Sequence, residues 1–428
     1  MKSTGYPPAI RIRWRMFAFL FGFGLLAYMQ QRSITVAAER MMPELGLSQL
    51  QIGWLEQAFV IGYALFQVPG GIFGQRVGAR RTFVIIGLTA CGAMLATSLS
   101  PTLLDGRTLF VELLAVQLLL GVAQAAIFPV SAGVFECWFP PRRWAFVQGL
   151  QTMGLQLGAA MTPPLIASLM HRFGWQRALF WTTLPAFALI AAWGRYARNR
   201  PSEHPAVTTG ELAEIGDYAA PPVDASIDAS QLRRLLRDRN VLLLFASYLC
   251  MNYAFYLLAN WVFLYLIQER HFSVLQSGWL ASAPPLAAAL GAGLGGVLTQ
   301  LACARYGPRS GFRLVPLIAL PMAGVLLLVA VNCANAYLAV AVLAACFGGV
   351  EMTEGAFWGA AMMVGGGDSM TVCGFLNTGG NLGGIIGIPI VAYLSGHQQW
   401  HAAFLIGTGC ALLSAGAWLG INIAEPAP

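Results

Sequence analysis

The sequence predicts an all-α integral membrane protein with twelve transmembrane helices arranged as two pseudo-symmetric six-helix bundles. Three observations predict it. Hydrophobic residues make up 57% of the 428 and charged residues only 10%, at a mean hydropathy of +0.65, against about 25% charged residues in soluble globular chains. Apolar runs of about 20 residues, long enough to cross a bilayer core, recur along the chain. A single long polar segment, Asn199 to Asp238, holds Pro201, Pro205, Pro221 and Pro222 and divides the chain into halves with six runs each.

Taken in order, spans are expected at 15–38, 51–74, 82–100, 109–134, 145–170 and 178–197, then at 241–267, 274–299, 314–333, 336–361, 370–395 and 402–422. The organisation is therefore an N-terminal segment 1–14, a six-helix bundle 15–197, a central loop 198–240, a second bundle 241–424 and a tail 425–428. The first span is too long for a signal-peptide core and no small-residue cleavage site follows it, so it is expected to be retained. Pro163-Pro164 and Pro284-Pro285 fall at comparable places in the fifth and eighth spans, where they free backbone carbonyls and permit bending. The eight cysteines are scattered singly, mostly in apolar runs, so neither a disulfide framework nor a metal site is expected.

Basic residues set the orientation. Nineteen of the 25 Lys and Arg fall on one side, and the excess of positive charge in cytoplasmic loops places both termini and the central loop in the cytoplasm. The net charge of +7 thus reports topology, and nucleic acid is not expected as a partner. The halves echo each other: GGIFGQRVGARR (Gly70 to Arg81) follows the second span, and GGVLTQLACARYGPRSGFR (Gly295 to Arg313) follows the eighth. Each has a Gly-Gly pair, a glutamine and a basic turn, the mark of an internal duplication, and a transporter built of repeats binds its solute near the midplane between them.

Polar groups within the spans are the candidate site. Arg32 is the only basic residue inside a span, one turn from Tyr28 and two from Glu39 on one helix face. An intramembrane arginine marks a functional site and its planar fork suits a carboxylate; the alternatives are a structural pair with Glu39 or Glu56, or snorkelling to the interface. Glu56 shares a face with Tyr63 and Gln67, and solvation in a vestibule is its other reading. Glu351 and Glu354, followed by Trp358, face the same way. Two carboxylates in one low-dielectric site repel, and taking up a proton relieves the repulsion. This pair is the leading candidate for a proton or cation site, the alternative being a salt bridge from one of them to Arg32. Neutral stripes run through Gln117, Gly121 and Gln124, through Asn252, Tyr256 and Asn260 beside Trp261, and through Asn377 and Asn381. They line a wet cavity or bond helices together. No P-loop, HExxH cluster or nucleophile elbow is present, so neither an enzyme nor an ATP-driven pump is expected, and no cofactor or metal.

GGIFGQRVGARR resembles the first loop motif of the major facilitator superfamily. LLLGVAQAAIFPVSAGVFECWFPPRR (Leu118 to Arg143) and FLNTGGNLGGIIGIP (Phe375 to Pro389) resemble the fourth helix with its loop and the eleventh helix of its anion:cation symporters, which carry sugar acids and other small organic anions. The resemblance covers nearly the whole chain and implies the major facilitator fold, a cavity tyrosine at Tyr63, and a cytoplasmic latch at Gln75, Arg76, Arg80 and Arg81. The departures are systematic. Where the family reads Tyr-x-Asp-Arg, this chain has Tyr28, Met29, Gln30 and Gln31, with Arg32 one place later; the family's fourth-helix arginine and glutamate align with Gln117 and Gln124, and its loop aspartates with Gln75 and Gln300. Glutamine cannot take up or release a proton near neutral pH, so proton coupling at Gln30 and Gln124 is excluded. Neutral Gln75 is expected to weaken the latch's charge pairing.

The expected function is secondary active transport of a small organic anion, a sugar acid or other carboxylate, by a monomer in the inner (plasma) membrane. Arg32 is the anchor, and Tyr28, Gln30, Gln31, Tyr63, Gln117, Gln124, Asn252, Tyr256, Trp358, Asn377 and Asn381 surround it. Glu351, Glu354 and Glu56 are the candidates for proton coupling. Two other functions fit the same residues: an uncoupled facilitator or exchanger of a neutral or zwitterionic solute, and a non-transporting receptor on a transporter scaffold.

Overall fold

In a computed structural model, residues 11–216, 229–273, 276–277 and 280–423 are described, and they form helices joined by short turns. The first six passes are Ile12–Leu45, Gln49–Leu65 continued by Gln67–Val77, Ala79–Leu99, Gly106–Ala125 continued by Ile127–Trp138, Trp144–Phe173 and Trp175–Tyr196. The seventh is Arg239–Gln268. Ala283–Asn332 holds 50 residues, roughly 75 Å at 1.5 Å per residue, more than twice a bilayer core. It turns back at Gly307 (φ 77°), where Gly311 packs onto Cys303, and so supplies the eighth and ninth passes. Ala336–Glu351 with Glu354–Gly365 is the tenth, Ser369–Gly396 the eleventh and Trp400–Trp418 the twelfth, making twelve helical segments of this kind among the described residues. The expected eighth span began at residue 274, and positions 274, 275, 278 and 279 lie outside the described residues.

Three passes expected as continuous are broken. The second bends by 52° at Phe66, three residues before Pro69. The fourth breaks at Ala126, three before Pro129. A proline lacks its amide hydrogen and its ring crowds the carbonyl four residues back, which here belongs to Leu65 and Ala125, the last residues before each break. The tenth breaks at Met352 and Thr353 without a proline; the Thr353 hydroxyl donates to the Val350 carbonyl (2.7 Å) and competes with the helical backbone bond. Of the paired prolines, only the second pair sits otherwise than expected. Pro163 and Pro164 lie inside the uninterrupted helix Trp144–Phe173. Pro284 and Pro285 occupy a first helical turn, where amide hydrogens have no partner to lose.

The duplicated motif packs as a duplicate. Gly78 (φ 84°) makes the turn after the second pass and Gly307 the turn after the eighth, both in backbone that side chains disfavour. Within each half, the first glycine of the pair takes the backbone of the broken pass: Gly70 meets Ala126, and Gly295 meets the Met352 carbonyl. The second glycine crosses to the other half: Gly71 lies against the Met370 carbonyl, and Gly296 against the Ala145 carbonyl.

The central segment is tied to the N-terminal bundle. Thr208 caps a short helix, Thr209–Ile215, by accepting from the Glu211 amide (3.2 Å). The Glu211 carboxylate in turn accepts the amides of Ile12 (3.3 Å) and Arg13 (3.1 Å), supplying the N-terminal cap that the first pass does not make for itself. Arg13, 0% exposed, pairs with Glu214 (2.6 Å), which also binds Arg11. Hydrogen bonding from Arg13, more than the opposing effect of burial, holds the Glu214 carboxyl below its ordinary value. Because the bound carboxyl is the more acidic one, this clasp contributes fully above the ordinary carboxylate range and is lost as pH falls through the lowered value. Hydrogen-exchange protection over residues 209–215, measured relative to the intrinsic exchange rate at each pH, should therefore fall on acidification below that range, and unchanged protection there would rule out the pair as what holds this helix down.

Candidate solute-binding cavity

A cavity of about 570 Å³ opens between the two bundles. The first pass presents Tyr28, Gln31, Arg32 and Thr35 to it, the i, i+3, i+4, i+7 stripe of one helix face. Gln30 lies about 100° around the helix and is turned away: its Oε1 accepts from Gln124 Nε2 (3.3 Å) behind the wall. The second pass contributes Gly53 to Tyr63, the fifth Thr152 and Gln156, and the seventh a four-residue stripe of Tyr248, Asn252, Tyr256 and Asn260.

Arg32 therefore faces the cavity, half-buried, and among the described residues it forms no ion pair: neither Glu39, Glu56, Glu351 nor Glu354 comes within salt-bridge distance. It is also the one Lys, Arg or His in the described lining. Glu56 sits exposed toward the mouth, accepting from the Thr35 hydroxyl (2.8 Å). Glu351 and Glu354 are buried in the lining on either side of the break in the tenth pass. The two differ. Glu354 Oε2 accepts from Trp358 Nε1 (2.8 Å) and the Tyr248 hydroxyl (3.2 Å). Glu351 Oε2 has no partner, and neither has Nε2 of Gln156, the side chain of the opposite bundle that approaches it. Both bundles meet again where Asn377 Nδ2 donates to the Tyr63 hydroxyl (3.3 Å), while the Tyr256 hydroxyl donates to Asn381 (3.3 Å) within the second bundle.

Below the cavity, at the face where the central segment lies, the bundles are pinned together. Gln75 Nε2 donates to the Gly367 carbonyl (3.1 Å) and to Asp368 (3.4 Å), and its Oε1 accepts from Thr371. Asp368 also accepts from Gln231 of the central segment (2.8 Å). Glu136, almost wholly buried, accepts from Ser369. Met370 fills a notch floored by Gly71, Gly74 and Gly133. The cavity is thus closed toward this face and open toward the other.

Of the residues expected in the site, Tyr28, Gln31, Arg32, Glu56, Tyr63, Gln117, Asn252, Tyr256, Glu351, Glu354, Trp358, Asn377 and Asn381 come together in the lining. Gln30 and Gln124 do not. The latch needs correction as well. Arg80 is used within its own bundle, donating to the Gly194 carbonyl (3.0 Å from Nε) while its amide binds Asn199 (2.9 Å). Arg76 and Arg81 are exposed and make no cross-bundle bond among the described residues. Gln75 alone of the four spans the seam, and as a neutral amide it does so by donating and accepting at once. Sequence reasoning missed Tyr248, one turn before the stripe it did find, and Thr152 with Gln156, whose i, i+4 spacing in an apolar run was available. It also missed Glu136, Asp368 and Met370, which come together only when the eleventh pass is placed against the second and fourth.

The chain belongs to the Major Facilitator Superfamily, whose family model matches residues 20–365. Among characterised relatives, it is 28% identical over 411 residues to a protein described as the probable sulfoacetate transporter SauU of Cupriavidus necator, covering 93% of this chain and 90% of that one. It is 25% identical over 401 residues to the hexuronate transporter of Bacillus subtilis, covering 92% and 91%. Among solved structures, FucP in its outward conformation superposes with a TM-score of 0.72 at 16% identity, over 97% of this chain and 100% of the other.

Proposed function

We propose that the protein is a secondary active transporter of a small organic anion, a sugar acid or other carboxylate, working by alternating access. The observation that carries the proposal is Arg32: a guanidinium in the wall of an open cavity, facing it, with no ion pair among the described residues. A cation left without a counter-charge in a membrane-embedded site is costly unless a ligand supplies one. The names of the two relatives, both anion transporters, support the same substrate class. With the basic face cytoplasmic, the cavity opens outward and the Gln75–Met370 seam is the closed inner gate. Loading of the cavity and parting of that seam would deliver the solute inward.

Glu351 and Glu354 are proposed as the proton-coupling pair, since Gln30 and Gln124 form a neutral hydrogen-bonded pair that does not titrate. That same neutral pair favours a second reading, an uncoupled exchanger. In reconstituted vesicles, Glu351→Gln and Glu354→Gln should each abolish accumulation driven by a pH gradient while leaving solute-for-solute exchange running. Gradient-driven accumulation that survives both substitutions would remove the pair from coupling. Exchange without any accumulation under a pH gradient in the unaltered protein would establish the uncoupled reading.

A further inference from the structure

The charge inventory of the cavity restricts its solute further. Resting on the anion reading above, we infer that the solute carries one negative charge and not two, and that its far end is a hydrogen-bond donor, hydroxyl or ammonium. The cavity offers Arg32 as the single cation in the described lining. The remaining ionisable groups of the lining, tyrosines aside, are carboxyls: Glu351 and Glu354 on the tenth pass and Glu56 toward the mouth. Arg32 and the carboxyl pair line one cavity of about 570 Å³, so a solute held at Arg32 shares that space with them. A second anionic group on that solute would find no compensating cation, and in a site of low dielectric the uncompensated charge is costly. A donor at the same place meets the opposite situation. Glu351 Oε2 is buried without a partner, whereas Glu354 Oε2 is already engaged by Trp358 and Tyr248. A buried acceptor left unpaired is expensive, and a ligand that pairs it gains selectivity over one that cannot. Glu351 is therefore assigned as the residue that reads the tail, and Arg32 as the one that reads the head.

Ligand-dependent thermal stabilisation of the full-length purified protein tests this with four probes chosen by charge. Gluconate has one carboxylate and a hydroxyl tail, aminocaproate an ammonium tail, caproate a bare tail, and glucarate a second carboxylate on the gluconate skeleton. Gluconate or aminocaproate should bind at least about tenfold more tightly than glucarate and than caproate, and the better of the two identifies the donor. Glu351→Gln should bring glucarate to within about threefold of gluconate, while Glu351→Asp, which keeps the carboxyl group, should preserve the discrimination. Glucarate binding as tightly as gluconate in the unaltered protein would overturn the inference and leave the anion reading standing. Failure of every acid to bind, with neutral sugars binding instead, would overturn both.

Discussion

Arg32→Gln should weaken binding of a carboxylate solute by about 10- to 100-fold, the equivalent of the roughly 1.5–3 kcal/mol carried by a charge-assisted hydrogen bond. The glutamine keeps two donors on a side chain two bonds shorter, so the loss combines the charge, the planar fork and the reach of the guanidinium. The effect should fall on solute recognition and not on folding, because Arg32 supports no neighbour: it forms no ion pair among the described residues and is half-exposed to the cavity. Calorimetric titration of the purified variant would show the drop against an unchanged melting temperature in the absence of solute. A variant that melts early and binds normally would make Arg32 a structural residue, and the anchor would have to be sought elsewhere in the lining.

The second large effect is expected at the inner gate. In Gly71→Ala the added methyl would overlap the Met370 carbonyl oxygen, with the Thr371 amide next to it. These are backbone atoms of the eleventh pass and cannot swing aside as a side-chain tip can. Forcing a methyl into such a contact costs about 1–3 kcal/mol. Most of that penalty applies while the seam is shut and is relieved when the bundles part there. The equilibrium should therefore shift by about 5- to 150-fold toward the inward-open state. Hydrogen exchange over residues 366–375 should quicken accordingly, whereas Gly92→Ala, with nothing within 4 Å of the added methyl, should change nothing. Equal protection in both variants would mean that the seam does not depend on this close approach.

Much of the fold was legible because membrane insertion writes it in coarse terms. Twenty-residue apolar runs, a polar divider and asymmetric arginines do not depend on knowing which helix touches which. The duplicated Gly-Gly motif carried more than its role as a marker of repetition. Gly70 and Gly295 serve their own bundles, and Gly71 and Gly296 the opposite one, a division that one-dimensional spacing cannot distinguish. Pro69 and Pro129 were readable signals of the broken passes that attention to the longer Pro-Pro pairs obscured. In the site, helical periodicity alone separates Gln31 and Arg32 from Gln30, but only once one of the three is known to face inward. The seam between the bundles was the least legible part, since Met370 lies in the other bundle from Gln75 and Glu136, more than 230 residues further along the chain. Their chemistry is ordinary until packing places them together. Arginines beside the loop motif drew the expectation of a charged latch, yet the seam is closed by an amide, a hydroxyl and a methionine in a glycine notch.

The central claim, that this chain moves an organic anion across the membrane, is tested most directly by uptake of radiolabelled gluconate into proteoliposomes with an inwardly directed proton gradient. Concentrative uptake is expected, collapsing when the gradient is dissipated and absent in Arg32→Gln. Binding of the acid with no flux in either direction, under any gradient, would contradict it and make the protein a receptor on a transporter scaffold.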